Sequence, residues 1–473
     1  MSPDCPDIIH QHLAKVRDHF EAAPTTSNWA ARSYRRWLAH YYNLIIPADA
    51  SVLEVGCGSG ELLVSIRAAR KTGIDLSPSQ IAAARERMPE AEFHVQAGEL
   101  LELEGTFDYV IISDTLNLAA DVQRLLEHLH QVAHPGTRLI LNFHNSLWQP
   151  VFSPARWVGL KAPHPQYSWL AASDVMNLLQ LANWSPVARQ NRLIVPFPLL
   201  GLDRLLNRWL APLLQWFCLT IFITARPARA TAVPRPSVSI IIPARNEAGN
   251  IEAAVRRTPS MGSGTELIFV EGHSRDNTWD EIKRVARENP GLKIRIMQQI
   301  GRGKGDAVRL GFAAATGDIL MILDADLTMP PEELPKFYEV LASGRAEFAN
   351  GCRLIYPMEE KAMQFLNLCA NKAFSLFFTW LLGQPVKDTL CGTKVLTRAH
   401  YERLAANRAY FGDFDPFGDF DLLFGAAKLN LKIADVPIRY RERTYGETNI
   451  QRWKHGWLLL RMVFFAARKL KFV

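Results

Sequence analysis

The stretch ILMILDADLTMPPEEL, residues 319–334, runs an apolar, strand-like segment into two aspartates, Asp324 and Asp326. In an extended chain successive side chains alternate, so both carboxylates leave the strand end on one side, with Ala325 turned away. Two carboxylates that near repel each other unless a cation or a set of donors neutralises them. A hard divalent ion gripping a diphosphate meets that need. The plainer alternative is a pair of turn aspartates ahead of Pro330 and Pro331.

Charged residues recur at other strand exits of the same half. ELIFVEGHSRDNTWDEI ends its apolar run at Glu271 and carries Asp276 into a helix, GRGKGDAVRLGFAAATGD supplies Lys304, and SVSIIIPARNEAGNIEAAV supplies Arg245. A nucleoside diphosphate needs acceptors for base and ribose, a cation for its phosphates and a basic side chain nearby, and this inventory covers those needs. The first half carries a different device. SVLEVGCGSGELLVSI sets Gly56, Gly58 and Gly60 after a strand over Val52–Val55 and before an expected helix, with Glu54 inside the strand. Glycines there let the backbone approach a ligand closely. One strand later KTGIDLSPSQIAAARER ends in Asp75, and a helix opens at Ser77–Pro78. An acid at that place accepts from both hydroxyls of a ribose. Asp114 and His144, at later strand exits, are candidates for a base, against the reading that a lone histidine is structural.

These residues need a scaffold, and the chain alternates strand and helix patterns in both halves. That predicts two α/β units with largely parallel sheets and ligand crevices at the carboxyl ends of the strands. A length of 473 residues allows two or three domains. ARPARATAVPRPSV, residues 225–238, has no period and reads as the connector, giving domains over 1–226 and 237–473 with a linker at 227–236. Hydrophobic residues make up 48% and charged residues 21%, the profile of a folded chain. Net charge is +7 without a long Lys/Arg run, so no nucleic-acid partner is expected.

The six cysteines form no CxxC pair, and the N-terminus lacks the apolar core of a signal peptide, so a reducing cytoplasm is expected. No stretch reaches the ~18–20 apolar residues of a spanning helix. Residues 210–225, broken by Pro212, read as a helix end followed by a core strand. Residues 363–383 and the basic, bulky C-terminus from 456 read as amphipathic, which predicts peripheral contact with the cytoplasmic face of a membrane.

EVGCGSG, GIDLS, FDYVIISDTLNL and PGTRLILNFHN follow one another in an order that resembles the class I S-adenosylmethionine-dependent methyltransferases. The resemblance, over residues 51–145, implies a Rossmann-like fold and S-adenosylmethionine contacts at Glu54, Gly56, Gly58, Gly60 and Asp75. It implies Glu99 on the adenine side and Asp114 at the methionine end. The aromatic-rich stretch after His144 is expected to cap the acceptor site. A nicotinamide-linked oxidoreductase is the alternative for this half.

The second half resembles the inverting family 2 glycosyltransferases of the dolichyl-phosphate mannose synthase type, polyprenyl-phosphate sugar synthases, from about residue 237 to 450. The resemblance implies a GT-A (nucleotide-diphospho-sugar transferase) fold. PxxNE falls on Pro243, Ala244, Arg245, Asn246 and Glu247. The second-strand motif is altered to EGHSRDNT, with Glu271 and Gly272 replacing aspartates, while Asp276 is kept. The nucleotide-sugar donor is thus expected on Pro243, Ala244, Arg245, Glu247, Glu271, Asp276, Lys304 and Asp324. Mg²⁺ or Mn²⁺ is expected on Asp324 and Asp326. NGCRLIYP, KDTLCGTKVLTR and VPIRYRERTYGETNI place Arg353, Lys394 and Arg443 on the acceptor side, with Glu447 beside Arg443. Lys394 stands for the usual arginine, which loses the bidentate fork. In FGDFDPFGDFDLLFG, Asp419 and Asp421 are the candidates for a general base toward an acceptor hydroxyl, whereas a phosphate acceptor needs none.

The expectation is therefore an α/β chain of two doubly wound domains. It would be a bifunctional enzyme that transfers a sugar to a lipid-phosphate or glycan acceptor and a methyl group to an unknown one. The alternative makes one half a non-catalytic docking module.

Overall fold

Val52 and Val55 of SVLEV, and Ile240 to Ile242 of VSIIIPA, are buried on both faces of their sheets, as central parallel strands must be. The computed structural model describes residues 5–23, 28–150, 170–228, 235–355, 365–407, 419–441, 443, 445 and 452–473. It divides into two units, Met1–Arg229 and Ala230–Lys471, the last two residues aside.

The first unit contains β1 (Ser51–Val55), β2 (Arg70–Asp75), β3 (Glu92–Val95), β4 (Phe107–Ser113), β5 (Ala133–His144), β6 (Trp184–Arg192) and β7 (Thr220–Pro227), in the order β3-β2-β1-β4-β5-β7-β6. Strands β1 to β5 are parallel, and β7 runs antiparallel to both β5 and β6. Its longer helices are α1 (Cys5–Glu21), α2 (Trp29–Ile45), α3 (Pro78–Arg87), α4 (Val122–His128) and α5 (Ala172–Leu181), and a short helical segment runs over Leu202–Leu210. Leu53, Val110 and Ile112 pack with Leu125 of α4 and Val175 of α5. The alternate residues Val52, Ile111 and Ile140 pack with Leu38 of α2 and Ile81 of α3. Helices thus cover both faces, the doubly wound arrangement that the alternation predicts.

The second unit contains β8 (Val238–Ala244), β9 (Thr265–Glu271), β10 (Lys293–Gln298), β11 (Ile319–Ile322), β12 (Phe348–Cys352), β13 (Lys394–Thr397) and β14 (Ile433–Pro437), in the order β10-β9-β8-β11-β13-β12-β14. Only β13 runs antiparallel to its neighbours among these described strands. The helices are α6 (Ile251–Arg257), α7 (Thr278–Glu288), α8 (Lys304–Ala314), α9 (Leu334–Ala342), α10 (Phe365–Leu382), α11 (Arg398–Ala406), α12 (Asp419–Lys428) and α13 (Arg452–Leu470). Ile240 and Ile242 face Ile251 of α6, Ile282 of α7 and Phe337 of α9. Ile241 points the other way, close against Gly311 of α8.

The same latch fastens the two strands that flank the reversal of strand order in each sheet. The backbone N and Oγ of Ser51 donate to Asp108 Oδ2 at 2.8 and 2.7 Å, and Asp108 N donates back to Ser51 Oγ at 3.0 Å. In the second unit Ser237 N and Oγ donate to Asp318 Oδ2 at 2.9 and 2.7 Å, and Asp318 N returns to Ser237 Oγ at 3.1 Å. Each latch sits at the amino ends of its strand pair, so the carboxyl ends open into a crevice held from below.

Two expectations are corrected here. The helix expected after Gly60 is only a 3₁₀ turn over Leu63–Ser65. Nine residues separate Gly60 from β2, and a crossover with a full helix needs more chain than that. The connector also starts later than its composition suggests. Ala225, Arg226 and Pro227 belong to β7 and pair with Pro186, Ser185 and Trp184. Residues 210–225 do end a helical segment and enter a buried strand, as read from Pro212.

Candidate active sites

In the first unit the crevice lies at the ends of β1 and β4. The glycine loop turns there with left-handed backbone at Gly56 (φ +74°) and Gly58 (φ +52°). A Cβ on Gly56 would collide with the Thr115 side chain, whereas one on Gly58 would meet nothing within 4 Å. Gly58 therefore borders open space, which suits a ligand approaching the backbone. Asp75 holds the loop: Oδ2 accepts from Gly58 N at 2.8 Å and Oδ1 from Ser77 N at 3.0 Å. Burial raises its pKa despite those amides. Each carboxylate oxygen can accept a second bond, so the acid retains capacity for hydroxyl donors.

Glu54 is 2% exposed, and among the described residues its Oε2 has no hydrogen-bond partner. Burial pushes its carboxyl up to about 8, Arg35 opposing and Asp75 adding to the rise. A buried carboxylate oxygen without a donor is a receptor for an incoming cation. Glu99 is buried too, accepts from Ala120 N at 2.8 Å, and has its pKa raised by burial.

The N-terminal helices complete this crevice, and the sequence reading assigned them no role. Ile9 and Leu13 of α1 pack with Ala97, beside Leu76 and Leu100, the residues next to Asp75 and Glu99. Glu21 accepts from Ser77 Oγ at 2.7 Å and Ser79 N at 3.1 Å. Helix α2 contributes Tyr34, Arg35 and Tyr42. Tyr42 donates to Asn142 Oδ1 at 2.5 Å, and Asn142 Nδ2 donates to Asp114 Oδ1 at 3.0 Å. His144 Nδ1 lies 3.8 Å from Asp114 Oδ1 and 3.4 Å from the Tyr34 hydroxyl, which is 3.2 Å from Thr220 Oγ1. Asp114 and His144 are thus brought together on one polar network. The one available signal was RSYRRWLAHYYN, basic and aromatic residues at helical spacing without an acid. Of the stretch expected to cap the acceptor, residues 151–169 lie outside the described residues.

In the second unit Asp324 and Asp326 follow β11, and each holds a cationic side chain. Lys304 Nζ sits 2.7 Å from Asp324 Oδ1. Gly392 backs this pair, and a Cβ there would collide with both. Arg443 bridges Asp326 Oδ2 at 2.6 Å and Glu247 Oε1 at 2.7 Å. Asp326 Oδ1 accepts from Thr328 N and Oγ1 at 3.1 and 2.8 Å. Glu247 is buried, receives Asn250 Nδ2 at 2.8 Å, and has its pKa raised because burial outweighs Arg443. The Arg443 loop is tied to the aspartate loop by Arg441 N donating to Thr328 O at 2.9 Å. Residues nearly 200 apart in sequence meet here.

Pro243 and Ala244 end β8, paired with Val270 and Glu271, and Arg245 beyond them is exposed. Glu271 accepts from Ser274 N at 2.5 Å and Gln298 Nε2 at 3.0 Å, bonds that outweigh burial and lower its pKa. Asp276 accepts from Thr278 N at 3.1 Å and Oγ1 at 2.5 Å, at the start of α7.

Two expected phosphate ligands are otherwise engaged. Arg353 forks onto Asp388, Nε to Oδ2 at 2.7 Å and Nη2 to Oδ1 at 2.9 Å, with its guanidinium over the Tyr440 ring. Lys394 is fully buried in β13 and donates to the Cys391 carbonyl. Neither is presented to a ligand in this structure. A buried arginine demands a counter-charge, and KDTLCGTK already contained one in Asp388. Asp421 is partly exposed on α12, while the side chain of Asp419, and Glu447, lie outside the described residues. Among the described residues no three His, Cys, Asp or Glu side chains cluster as a metal set.

Each unit matches one family model. Residues 53–139 match the methyltransferase domain family, and residues 239–404 match glycosyl transferase family 2. The low-salt glycan biosynthesis hexosyltransferase Agl6 of Haloferax volcanii is 27% identical over 233 residues, covering 49% of this chain and 54% of that protein. The dolichol-phosphate mannosyltransferase of Pyrococcus furiosus is 28% identical over 219 residues, covering 45% and 59%. The chain spans somewhat over half the length of these curated relatives. The magnesium protoporphyrin IX methyltransferase of Synechocystis PCC 6803, solved with bound S-adenosylhomocysteine, is 19% identical with a TM-score of 0.32, covering 45% of this chain and 99% of that one. That likeness adds nothing to the family match.

Proposed function

We propose that the chain is a bifunctional transferase. The second unit would transfer a sugar, with inversion, from a nucleotide-sugar donor to a lipid-phosphate or glycan acceptor. The first would transfer a methyl group from S-adenosylmethionine. The observation that carries the sugar-transfer reading is that Asp324 and Asp326 each hold a cationic side chain at the carboxyl end of β11.

Hard oxygen donors such as these suit Mg²⁺ or Mn²⁺, and Asp324 and Asp326 would hold it. Such an ion stabilises charge on the departing nucleotide. Lys304 would then be freed to meet the diphosphate, and Glu271 and Asp276 would accept from base and ribose. Asp421 or Asp419 would take the proton of a hydroxyl acceptor. The Pyrococcus relative's name points to a polyprenyl phosphate, which supports a lipid-phosphate acceptor here. Arg353 and Lys394, engaged elsewhere, are not its ligands in this reading.

For the first unit, the orphan Glu54 oxygen suits the ammonium of S-adenosylmethionine and Asp75 its ribose. Methyl transfer then needs chiefly alignment of the nucleophile, which the Tyr34–His144–Asp114 network is built to orient. Action at the cytoplasmic face of a membrane accompanies the lipid-phosphate reading. Among the described residues no helix is long and apolar enough to cross a membrane.

Donor hydrolysis across a nucleotide-sugar panel with and without Mn²⁺ tests the second unit. Metal-independent or absent turnover rejects it. Calorimetry with S-adenosylhomocysteine against NAD tests the first, and binding of NAD alone rejects it.

A further inference from the structure

The chain between β6 and β7, residues 193–219, turns an unusual surface outward. Leu200, Leu205, Trp209, Leu213, Trp216 and Phe217 are all exposed, Leu200 completely and Trp216 at 73%. Soluble domains rarely expose contiguous apolar surface of that kind without a function for it.

The outward facing is built in, because the segment's polar groups are fastened inward. Asn207 is buried: its Oδ1 accepts from Ile194 N and Val195 N, both at 2.9 Å, and its Nδ2 donates to Val195 O at 2.7 Å. Asn191 Nδ2 donates to Gln215 O, Asn145 Nδ2 to Trp216 O and Trp148 Nε1 to Phe217 O, each at 2.9 Å. With the backbone pinned to the sheet edge by side chains of β6 and the end of β5, the leucines and aromatics have no inward position left.

The charge pattern selects the occupant. Asp203 is the one acid in 193–219, and it is buried, its Oδ1 accepting from Leu199 N at 3.0 Å. Arg204 and Arg208 are exposed on the same segment, Arg208 lying over the Trp209 ring. Trp29 at the start of α2 meets Phe197 edge-on. On Trp29's face of α2, three and seven residues on, stand the exposed Arg32 and Arg36. Helix α2 has no acidic residue at all. Leucine and tryptophan bordered by arginine, with no exposed acid, complements acyl chains beneath anionic headgroups.

We propose that this face of the first unit is a monotopic membrane-docking surface that seats on an anionic bilayer. It depends on neither transferase assignment, and one of its aromatics, Trp209, stacks on Phe472 with ring centroids 5.3 Å apart. In vesicle flotation, the full chain should bind phosphatidylcholine vesicles containing phosphatidylglycerol. Leu205→Glu with Trp216→Glu should lower binding about tenfold or more, the circular-dichroism melting curve being unchanged because both side chains are exposed. Arg204→Glu with Arg208→Glu, both exposed, should abolish the preference for phosphatidylglycerol over pure phosphatidylcholine. Failure of the full chain to float, or flotation of both variants like the parent, overturns the proposal. So does a lipid-free dimer, seen by light scattering, that either variant converts to monomer, since the occupant would then be a second copy.

Discussion

Arg443 Nη2 lies 2.6 Å from Asp326 Oδ2. The cation closing on the second aspartate thus arrives from a loop 117 residues downstream, and a divalent ion at Asp326 would compete with it. Asp326→Ala should reduce Mn²⁺-dependent donor hydrolysis at least about 100-fold. Steady-state rates over a manganese titration check this, and a rate near the parent's would remove Asp326 from the metal site.

Arg443→Ala should also change how stability depends on pH. Glu247 already has a raised pKa because it is buried, with Arg443 opposing. Without that cation the folded-state pKa rises further above the unfolded value. Stability is then fully present below the unfolded value and lost as pH climbs through the folded one. The variant's melting temperature should therefore fall more steeply than the parent's as pH rises above the ordinary carboxylate range. Parallel curves would mean that Arg443 does not sense Glu247.

Glu54 offers a test on the first unit. Its carboxyl, pushed up to about 8 by burial, is protonated at neutral pH before ligand arrives. An ammonium bound there would expel that proton. S-adenosylhomocysteine binding should release close to one proton at pH 7, read by calorimetry in buffers of different ionisation enthalpy. Glu54→Gln should abolish the release and weaken binding about tenfold or more. The same substitution removes a group whose stabilising neutral form is lost toward pH 8, so the unliganded variant should outlast the parent above pH 8.

The Arg353–Asp388 pair predicts a structural phenotype. Arg353→Ala leaves the buried Asp388 carboxylate without its forked cation, with only backbone amide donors such as Leu390 N, and should destabilise the second unit by about 3–5 kcal/mol. Asp388 is held below its ordinary value because Arg353 outweighs burial. That stabilisation is present above the unfolded pKa and lost as pH falls through the folded one, so the deficit of Arg353→Ala should shrink toward acid. Urea titrations at pH 7 and pH 3.5 check both statements. A stable variant impaired only in its affinity for acceptor would return Arg353 to a ligand role.

Gly392→Ala should lower donor turnover while sparing the sheet. The added methyl group would collide with Asp324 and Lys304 at the ends of flexible side chains, so it displaces the pair without unfolding β13. Turnover reduced about tenfold with a melting temperature within a few degrees of the parent is the expected result.

The order of strands, glycine turns and acids was legible along the chain because each is a local pattern. Short apolar runs mark the central strands, Ser77–Pro78 starts α3, and the Asp324–Asp326 spacing is read within three residues. What was not legible depended on distant partners. Arg353 had the right type and place for a phosphate ligand, yet its fork is filled by Asp388. The reversed strands β7 and β13 look like their parallel neighbours, because direction is set by the path of the connection and not by side-chain pattern.

The sequence by itself determined that there are two α/β halves and that their charged residues gather at strand exits, since hydrophobic period and turn chemistry act over a few residues. Tertiary structure alone decided which charges meet. It set Arg443 on Glu247 and Asp326, brought α2 to Asp114 and His144, and pinned residues 193–219 with their apolar side outward. Coulombic pairing and desolvation act through space, so a chain read in one dimension carries the groups but not their partners.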